Sequence, residues 1–401
     1  MSDASILSPK GFRAAGVACG LKSVAGKKDL AILVADQAAG AAAVFTTNQV
    51  AAAPVLLSRE TIKRGRPRAV VVNSGNANCC TGEQGLADAR EMVRLAAEAV
   101  GAQPDEMLVC STGKIGEPMP MDKVAAGIRD AAQALRSDAQ AAADFAAAIM
   151  TTDTVTKTCC LTDRIGKADV TVAGACKGSG MIAPNMATML AFITTDAHIG
   201  SRALTAALRT AVAGSFNLVS VDSDTSTNDT VIALASGAAG RREIQQGSDE
   251  YVAFSALLRK VCLDLALQIA ADGEGATRVI EVRVEGAATE QDARAAARAI
   301  VDSPLVKCAV HGGDPNWGRV VAAAGRSGAR VDVARMKHWI GDTLVFDAGT
   351  PTDFDVAACE QHMKGPRVLL RVDLGVGTED HTCYGCDLSR DYVTINADYH
   401  T

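Results

Sequence analysis

The sequence predicts an α+β fold, that is, a mixed α/β chain with a substantial amount of sheet. Apolar runs of the length of a strand alternate with Ala-rich stretches of helical periodicity. The breaks between these segments carry Gly, Pro, Asn or Asp, which end helices and strands. The hydrophobic content of 48% over 401 residues is sufficient for a large core. We therefore expect a globular protein with one large or two ordinary domains.

The first predicted elements lie before residue 102. Ala69–Val72 is a short apolar run rich in Val, which indicates a buried strand. A helix should follow over about residues 86–100, because apolar residues recur there on one face. Thr81 and Gln84 have the spacing of a capping box at its start, and Gly101 is a typical stop.

A second strand and a second helix follow in the same order. Met107–Cys110 indicates a short strand that ends in the segment Ser111-Thr112-Gly113. Pro120 then suits the start of a helix, because the N–H that proline lacks has no partner at that position. The apolar residues of this helix share one face: Val124, Ile128, Ala131 and Leu135.

The centre of the chain contains the most unusual loop. Asp169–Cys176 and Thr188–Thr195 both indicate strands, and residues 177–187 connect them. Gly178–Ala183 matches the pattern G-x-G-x-x-A of dinucleotide-binding loops. We reject that interpretation because Pro184 would fall within the first turns of the helix that the motif requires. Spacing alone favours a glycine-permitted turn between two strands.

The remaining elements continue the alternation. Helices are expected over about residues 202–213 and 250–271, from their helical periodicity. Residues 280–285 alternate between apolar and charged side chains, which indicates a strand with two different faces. The alternation returns at residues 368–374. The sequence has no internal repeat, no low-complexity linker and no obvious domain boundary.

Composition argues against several classes of partner. The chain has 46 acidic and 40 basic residues, a formal charge of −6, and no basic stripe that would attract a phosphate backbone. Aromatic residues make up only 3%, so platforms for stacked bases are also missing. No apolar run approaches the roughly eighteen residues of a membrane span, and the N-terminus lacks the apolar core of a secretion signal. We expect no nucleic-acid partner, no membrane partner and a cytoplasmic location.

Three polar patterns need to be weighed. Cys383-Tyr-Gly-Cys386 has the spacing of a redox or zinc site, but no second pair completes it, and structural thiols are favoured. Residues 221–229 lack the glycine and glutamate of a calcium loop, so we expect a polar loop that caps a following element. No His is paired with Ser or Cys in a triad-like pattern. We therefore expect no metal and no cofactor.

Residues 177–190 closely resemble the self-processing segment of the ornithine acetyltransferase family, also called bifunctional glutamate N-acetyltransferase/amino-acid acetyltransferase. This resemblance does not stand alone. Further segments are similar to landmarks of the same family, in the same order: Val44–Asn48, Ala52–Val55, Val72–Asn78, Ser111–Gly113, Asp222–Thr230, Gly313–Arg319, Gly385–Leu388 and Tyr392–Thr401. The resemblance therefore spans nearly the whole chain.

The resemblance implies that the chain cleaves itself between Ala187 and Thr188. Residues 1–187 and 188–401 would then form one intertwined catalytic unit with a stacked αββα core, assembled as an α2β2 heterotetramer. Thr188 would carry both the nucleophilic hydroxyl and a new α-amino group. The pKa of such an amino group, roughly 7.7–8.0 in short peptides, suits a proton acceptor at neutral pH.

The resemblance also implies the reaction and its residues. N-Acetylornithine gives its acetyl group to Thr188, ornithine leaves, and glutamate takes the acetyl group to form N-acetylglutamate in arginine biosynthesis. Some members also use acetyl-CoA as donor, which the sequence does not decide. Thr112 and Gly113 correspond to the oxyanion hole, where each donor lowers the barrier by about 3–4 kcal/mol. The substrate contacts correspond to Thr151 or Thr152, Lys177, Thr188, Glu274, Asn396 and Thr401.

Two other functional classes stay open at this point. A self-processing N-terminal-threonine amidohydrolase or aminopeptidase would use the same nucleophile and pass the acyl group to water. A metal or redox protein would be built around Cys383 and Cys386. The sequence departs from the family pattern at Lys114, Ser223 and His311, positions that bear on the choice of substrate more than on the mechanism.

Overall fold

The computed structural model of the chain describes residues 5–183 and 189–398. The strands in these described ranges are β1 (Phe12–Val17), β2 (Leu30–Ala35), β3 (Gly40–Phe45), β4 (Ala69–Asn76), β5 (Met107–Lys114), β6 (Lys157–Ile165), β7 (Ala168–Lys177), β8 (Leu190–Thr195), β9 (Val219–Ser220), β10 (Thr230–Ala235), β11 (Val279–Ala287), β12 (Lys337–Ile340), β13 (Thr343–Asp347), β14 (Thr350–Pro351), β15 (Arg367–Asp373) and β16 (Glu379–Cys386). The α-helices are α1 (Ala53–Arg64), α2 (Gly82–Val100), α3 (Met121–Gln133), α4 (Ala139–Ile149), α5 (Ser201–Ala213), α6 (Asp249–Ala271), α7 (Glu290–Val301), α8 (Pro304–Gly312), α9 (Trp317–Gly325), α10 (Val356–Met363) and α11 (Arg390–Asp398). No helix in the described ranges has both the length and the apolar composition needed to cross a membrane.

The predicted strands at 69–72 and 107–110 are present but longer than expected. β4 continues to Asn76 and β5 continues to Lys114. The extension arises because the two strands pair in parallel over their whole length, including a bulge at Asn76. The segment Ser111-Thr112-Gly113 therefore belongs to β5 itself and does not form a turn after it.

The helix predicted over 86–100 is α2, and its two ends give opposite outcomes. The predicted capping box is wrong, because the hydroxyl of Thr81 donates to Oδ1 of Asn78 at 2.8 Å and Gln84 donates to Asp88 at 2.8 Å. The predicted stop is confirmed: Gly101 ends the helix in the left-handed conformation, with φ of 70°.

The chain divides into two compact units. Among the described residues, the first unit comprises 5–183, 189–217 and 224–268, and the second comprises 218–223 and 269–398. The sequence pattern shows no obvious boundary at these points.

Two mixed sheets form the centre of the first unit. One has the order β1-β2-β4-β5, and the other has the order β3-β10-β8-β7-β6. Apolar residues from both sheets share a single core with α4, among them Val70, Leu108, Phe145, Phe192 and Ile232. The two sheets therefore stack face to face, as in a sandwich.

Helices cover the outer faces of both sheets in the first unit. Met92 of α2 and Ile128 of α3 pack on the outer face of the first sheet. Leu265 of α6 packs on β7 of the second sheet, where its carbonyl accepts a bond from the thiol of Cys176. β4 is accordingly buried on both faces, as a strand between two layers should be. The predicted mixed α/β fold with a stacked αββα core is confirmed.

The second unit contains a seven-stranded mixed sheet with the order β14-β13-β12-β15-β11-β16-β9. Helices α7, α8 and α9 supply apolar residues to a core with one face of this sheet. The alternation predicted in β11 is confirmed, since Ile280, Val282 and Val284 all belong to that core. Glu281 lies between them on the charged face, where it forms ion pairs with Arg283 and Arg367.

Candidate active site

The proposed cleavage point lies in the connection between two neighbouring strands of the first unit. β7 ends at Lys177 and β8 begins at Leu190, and these two residues are paired in antiparallel register. Ala187 and Thr188 themselves lie outside the described residues. Both strands that lead into the connection are almost completely buried. The ends of the connection are therefore fixed by the sheet.

The first part of this connection has an unusual backbone. Met181 has φ of 56°, in the left-handed region that residues other than glycine adopt at a cost of roughly 1–3 kcal/mol. The next residue, Ile182, forms an isolated antiparallel bridge with Thr225. The hydroxyl of Thr225 also donates to the carbonyl of Ala183 at 2.9 Å. Contacts to residue 225 thus hold this strained segment in place.

Residues 224–230, which we call the 224–230 loop, connect this segment to both sheets of the first unit. The N–H of Thr230 donates to the carbonyl of Met189 at 3.0 Å. The side-chain amide of Asn228 donates to the carbonyls of Ala77 at 2.6 Å and Ser111 at 2.8 Å. The loop is polar, as predicted, and its last residue, Thr230, is the first residue of β10. Residue spacing alone contains no signal that Asn228 bridges the sheets.

Thr112 and Gly113 lie at the carboxyl end of the parallel pair β4 and β5. Gly113 has φ of 132°, and a Cβ on this residue would lie 2.3 Å from the carbonyl carbon of Gly75. Only glycine fits this combination of backbone angle and close approach. Opposite it, Asn76 forms the bulge and pairs with both Thr112 and Lys114. Thr112 and Gly113 are both half-buried, and the close packing of Gly113 on Gly75 holds the backbone at the predicted oxyanion position.

A buried hydroxyl adjoins this position. Oγ of Ser111 is inaccessible to solvent and has no hydrogen-bond partner within the described part of the chain. A buried polar atom of this kind costs about 1–3 kcal/mol, so such atoms are concentrated at functional sites. In the sequence this serine is part of a family motif, and the motif alone assigns it no role.

A buried ion pair joins three other segments of the first unit. Oδ1 of Asp153 accepts bonds from Nζ of Lys157 and from the N–H of Gly178, both at 2.7 Å. Oδ2 accepts from the N–H of Thr151 at 2.9 Å. Burial alone would raise the pKa of this carboxyl group, but Lys177, Lys157 and these hydrogen bonds lower it to about 2. Asp153 is therefore an anion that fixes the surrounding backbone.

The ion pair gathers two of the predicted substrate contacts. Thr151 is bonded to Asp153 directly, and Lys177 acts on the same carboxylate through its charge. Thr152 is the neighbouring residue and is half-buried, as is Thr151. Lys177 is 8% exposed, which is unusually low for a lysine. Asp153 and Lys157 were missed at the sequence level, although Asp153 completes the same TTD triplet.

Lys114 departs from the family pattern but has a local counter-charge. Its ammonium group lies 3.4 Å from a carboxylate oxygen of Glu117, and both side chains are about half exposed. Its carbonyl accepts a bond from the N–H of Ala77. Such an exposed pair contributes little to stability, and the charges of Lys114 and Glu117 offset each other near β5.

In the second unit, two predicted substrate contacts lie together. The side-chain amide of Asn396 donates to Oε2 of Glu274 at 2.8 Å. Glu274 is 8% exposed. The third residue predicted for this end of the chain, Thr401, lies outside the described residues. The pair offers one acidic and one amide group, which suits recognition of a substrate amine.

The loop that carries Glu274 is held by Asp387. This buried carboxylate accepts bonds from the N–H and hydroxyl of Thr277, from the N–H of Arg278, and from Nδ1 of His311. Burial would raise the pKa of Asp387, but these hydrogen bonds lower it. His311, another departure from the family pattern, thus contacts the anchor of the Glu274 loop.

The cysteine pair of the second unit does not resemble a redox or metal site. Cys383 and Cys386 are free thiols, and both are buried in β16. Their spacing of three places them on opposite faces of the strand. Burial raises the pKa of Cys383 to about 12 and that of Cys386 to about 11, so both stay protonated at neutral pH. Within residues 5–183 and 189–398, no group of three or more His, Cys, Asp or Glu side chains could hold a metal ion.

Comparison with known proteins identifies close relatives. The sequence model of the ArgJ family matches residues 13–401. The arginine biosynthesis bifunctional protein ArgJ of Symbiobacterium thermophilum is 54% identical over 397 residues, covering 99% of this chain and 98% of the relative. The protein of the same name from Caldanaerobacter subterraneus subsp. tengcongensis is 47% identical over 403 residues, covering 100% of this chain and 99% of the relative.

A solved structure is similar as well. The crystal structure of arginine biosynthesis bifunctional protein ArgJ from Bacillus halodurans has 42% sequence identity and a TM-score of 0.51. The match covers 52% of this chain and 98% of that chain. The chain in that crystal is therefore only about half as long as this one.

Proposed function

This chain belongs to the ArgJ family, and on that premise we propose that it transfers the acetyl group of N-acetylornithine to glutamate. The products are ornithine and N-acetylglutamate, and the reaction serves arginine biosynthesis. The acetyl group is carried by Thr188, which becomes an N-terminal residue when the chain cleaves itself after Ala187. The hydrogen-bond network of the 224–230 loop carries this proposal.

The 224–230 loop supports the proposal because it holds both described ends of the cleavage segment. Thr225 bonds to the carbonyl of Ala183 on one side, and Thr230 bonds to that of Met189 on the other. Asn228 of the same loop bonds to the carbonyl of Ser111, next to the proposed oxyanion pair. This network supports a nucleophile at residue 188 close to the backbone that would stabilise its oxyanion.

The length of the Bacillus halodurans chain supports cleavage. A match that covers 98% of that chain covers only 52% of this one. Residues 188–401 make up slightly more than half of the 401 residues. A solved chain of this length is expected if the relative is also present as two fragments.

Cleavage would begin with the hydroxyl of Thr188. Its oxygen attacks the carbonyl carbon of Ala187, the C–N bond to Thr188 breaks, and an ester and a free α-amino group result. Water then hydrolyses the ester and regenerates the hydroxyl. Met181 has a strained backbone conformation. This strain favours the step because it keeps the connection between β7 and β8 from relaxing.

Transfer would use the same hydroxyl twice. The α-amino group of Thr188 accepts the hydroxyl proton as the oxygen attacks the acetyl carbonyl of N-acetylornithine. Backbone donors at Thr112 and Gly113 stabilise the tetrahedral oxyanion. Ornithine leaves with a proton on its amino group, and the α-amino group of glutamate then attacks the acetyl ester. The second tetrahedral intermediate collapses to N-acetylglutamate and free Thr188.

Substrate recognition would involve several charged and polar groups. Lys177 provides a cation for the α-carboxylate of the substrate, next to Thr151 or Thr152. Glu274, Asn396 and Thr401 provide polar groups for the amino acid.

We further propose that the cleaved chains assemble as an α2β2 heterotetramer in the cytoplasm. We also propose that the enzyme accepts acetyl-CoA as a second acetyl donor.

The proposal is tested with Thr188→Ala. We expect wild-type protein to run as two fragments on a denaturing gel, with an intact mass for each that fixes the break after Ala187. The variant should remain a single chain of 41.3 kDa without activity. Exchange of label between N-acetylornithine and ornithine measures the first half-reaction. An unbroken wild-type chain, or release of free acetate in place of transfer to glutamate, would contradict the proposal.

A further inference from the structure

Two cysteines that are adjacent in the sequence lie in the turn between β4 and α2, and the proposed function does not use them. Sγ of Cys79 lies 3.7 Å from Sγ of Cys80. Both thiols are free. Cys80 is exposed, whereas Cys79 is buried and its thiol donates to the carbonyl of Val50 at 3.7 Å. The pair therefore has one sulfur open to solvent and a second sulfur in contact with the first.

The backbone of this turn brings the two thiols together. Neighbouring residues of an extended strand point to opposite faces, so an ordinary strand would separate the sulfurs. Here Asn78 and Cys80 have φ of 47° and 57°, in the left-handed region that turns the chain. The carbonyl of Cys79 also accepts a bond from the N–H of Gly116 at 2.9 Å. The short distance between the sulfurs is therefore a property of the folded backbone.

A second cysteine pair shows how the same dipeptide is arranged in a strand. Cys159 and Cys160 lie in β6, and both are half-buried. The thiol of Cys159 lies beside Asp264 of α6, and the thiol of Cys160 lies beside Ser8. These two sulfurs therefore point to opposite faces of the sheet and cannot bind one atom together.

The distance between Sγ of Cys79 and Sγ of Cys80 suits a single bridging atom. Two bonds of about 2.3 Å, the length of a zinc–thiolate bond, span about 3.8 Å at a tetrahedral angle and about 4.6 Å in a straight line. A direct disulfide is disfavoured, because adjacent Cα atoms are about 3.8 Å apart and ordinary disulfides need about 4.4–6.8 Å. The observed distance of 3.7 Å therefore matches a bent centre with two sulfur ligands.

The number of available ligands limits the kind of centre. In the part of the chain that the structure describes, no third His, Cys, Asp or Glu joins the pair in a cluster that could hold a metal ion. A structural zinc ion needs four ligands. A trivalent organoarsenical needs only two thiols, because its third valence is already taken by an organic group. Its arsenic is also soft, as thiolate ligands prefer.

We propose that Cys79 and Cys80 form a dithiol site that binds trivalent organoarsenicals. An organic arsenic(III) oxide exchanges its oxygen for the two sulfurs. The arsenic–oxygen bond and both S–H bonds break, two arsenic–sulfur bonds form, and one water leaves with both protons, so arsenic keeps its oxidation state. Cys80 should react first because it is exposed. Burial raises the pKa of the Cys79 thiol, so Cys79 should close the ring in the second step.

Occupancy of this site should also block acetyl transfer, and this second part of the inference rests on the proposed function. The N–H of Ala77 donates to the carbonyl of Lys114, and the N–H of Gly116 donates to that of Cys79, both at 2.9 Å. These bonds join the turn to the residues that directly follow the proposed oxyanion pair. An arsenical on the turn would shift this backbone, and a displacement of about 1 Å near a reacting centre can lower the rate about 10²-fold.

The binding test uses phenylarsine oxide on the reduced wild-type protein. We expect peptide mass spectrometry to locate one phenylarsenic group on Cys79 and Cys80, and we expect it to resist a monothiol and be removed by dimercaptopropanol, a dithiol. Cys80→Ser should raise the Kd measured by calorimetry by about 10²–10⁴-fold, the usual gain from a second linked contact. Cys160→Ser is the matched control, because it interrupts the same dipeptide in β6, and it should bind as the wild type does. Similar melting temperatures of the two variants would exclude misfolding as the cause.

The activity test separates the two parts of the inference. The wild-type adduct should exchange label between N-acetylornithine and ornithine about 10²-fold more slowly, whereas Cys80→Ser should stay active in the presence of the reagent. Equal affinity of Cys80→Ser and wild type, or an adduct that a monothiol removes, would overturn the dithiol site. An adduct on Cys79 and Cys80 that leaves exchange unchanged would overturn the link to the oxyanion backbone. If the wild type transferred no acetyl group, the proposed function would fail, but mass spectrometry and calorimetry would still decide whether the site exists.

Discussion

Gly113 illustrates how a single residue determines what the end of β5 can do. Its φ of 132° is available to glycine at little cost, and the carbonyl carbon of Gly75 occupies the space that a side chain would need. Gly113 is half-buried, and the proposed oxyanion role requires a backbone that a ligand can approach. Both the packing against Gly75 and the proposed chemistry therefore require a residue without a side chain at position 113.

We predict that Gly113→Ala lowers kcat by about 10²–10³-fold, the usual cost of a misplaced oxyanion donor. The added methyl group would push the end of β5 away from Gly75, because the atoms it would meet belong to the backbone of Gly75 and Asn76. Gly116→Ala is the matched control, since Gly116 also has positive φ but a Cβ added there would have no atom within 4 Å. Steady-state kinetics and thermal melts of both variants provide the measurement. Equal activity of the two variants would contradict a role for Gly113 in the reaction.

The sequence predicted some of these residues and not others, for a physical reason. Thr112, Gly113, Thr151 and Lys177 were indicated because they belong to contiguous motifs of a known family. Asn228 contacts residues that are distant in the chain, such as Ser111, which precedes it by 117 positions. No local pattern encodes such contacts, so the structure was needed to find them.

At the scale of elements, the pair of Asp153 and Lys157 joins the end of β7 to the start of β6 and to the segment that follows α4. Asp153 accepts bonds from three different parts of the chain, and neither side chain of the pair is exposed. A buried pair of this kind contributes little net stability compared with apolar residues, but loss of one partner leaves a buried charge.

We predict that Lys157→Met destabilises the protein by about 3–5 kcal/mol, since Asp153 would lose its direct counter-ion. Lys167→Met is the control, because Lys167 is an exposed lysine in the turn between β6 and β7. It should change stability by less than about 0.5 kcal/mol. Denaturant unfolding of both variants measures the difference. The double variant Asp153→Asn/Lys157→Met should recover part of the loss, and additive effects would contradict direct coupling of the two residues.

Element boundaries were predictable where periodicity is long and poorly predictable where pairing decides them. The helices expected over 202–213 and 250–271 are α5 and α6, each within one residue of the predicted start. β5 is longer than expected because the bulge of β4 continues the pairing. β9 and β14 have two residues each, too few for any periodicity to be read. The pairing of strands that are distant in the sequence therefore determines the strand boundaries that the local pattern does not.

At the scale of the whole molecule, the proposed cleavage point and the division into compact units do not coincide. The first unit contains residues on both sides of position 187, whereas its boundary with the second unit falls at residue 268. No sequence signal marks this boundary, because it lies inside the last turns of α6, where the helical pattern continues to Ala271. Because the helical pattern of α6 has no break, it cannot indicate the residue at which the chain passes from the first unit to the second.

We predict that the two fragments stay associated after cleavage because they share one sheet and the core of the first unit. β7 would belong to the first fragment, and its neighbour β8 would belong to the second, together with β10 on the far side of β8. Phe145 and Phe192 would come from different fragments, with ring centroids 5.3 Å apart in an edge-to-face contact. Such contacts are apolar and hydrogen-bonded, so they should resist salt.

An affinity tag on the N-terminal fragment should therefore retain the other fragment on a column at roughly 1 M salt, where charge interactions are screened within about 3 Å. Denaturant should release the second fragment only over the range in which circular dichroism reports unfolding of the whole protein. The uncleaved Thr188→Ala chain is the control, since it should unfold over a similar range without releasing any fragment. Elution of the C-terminal fragment by salt alone, with the circular dichroism signal unchanged, would mean that the fragments do not share a common core.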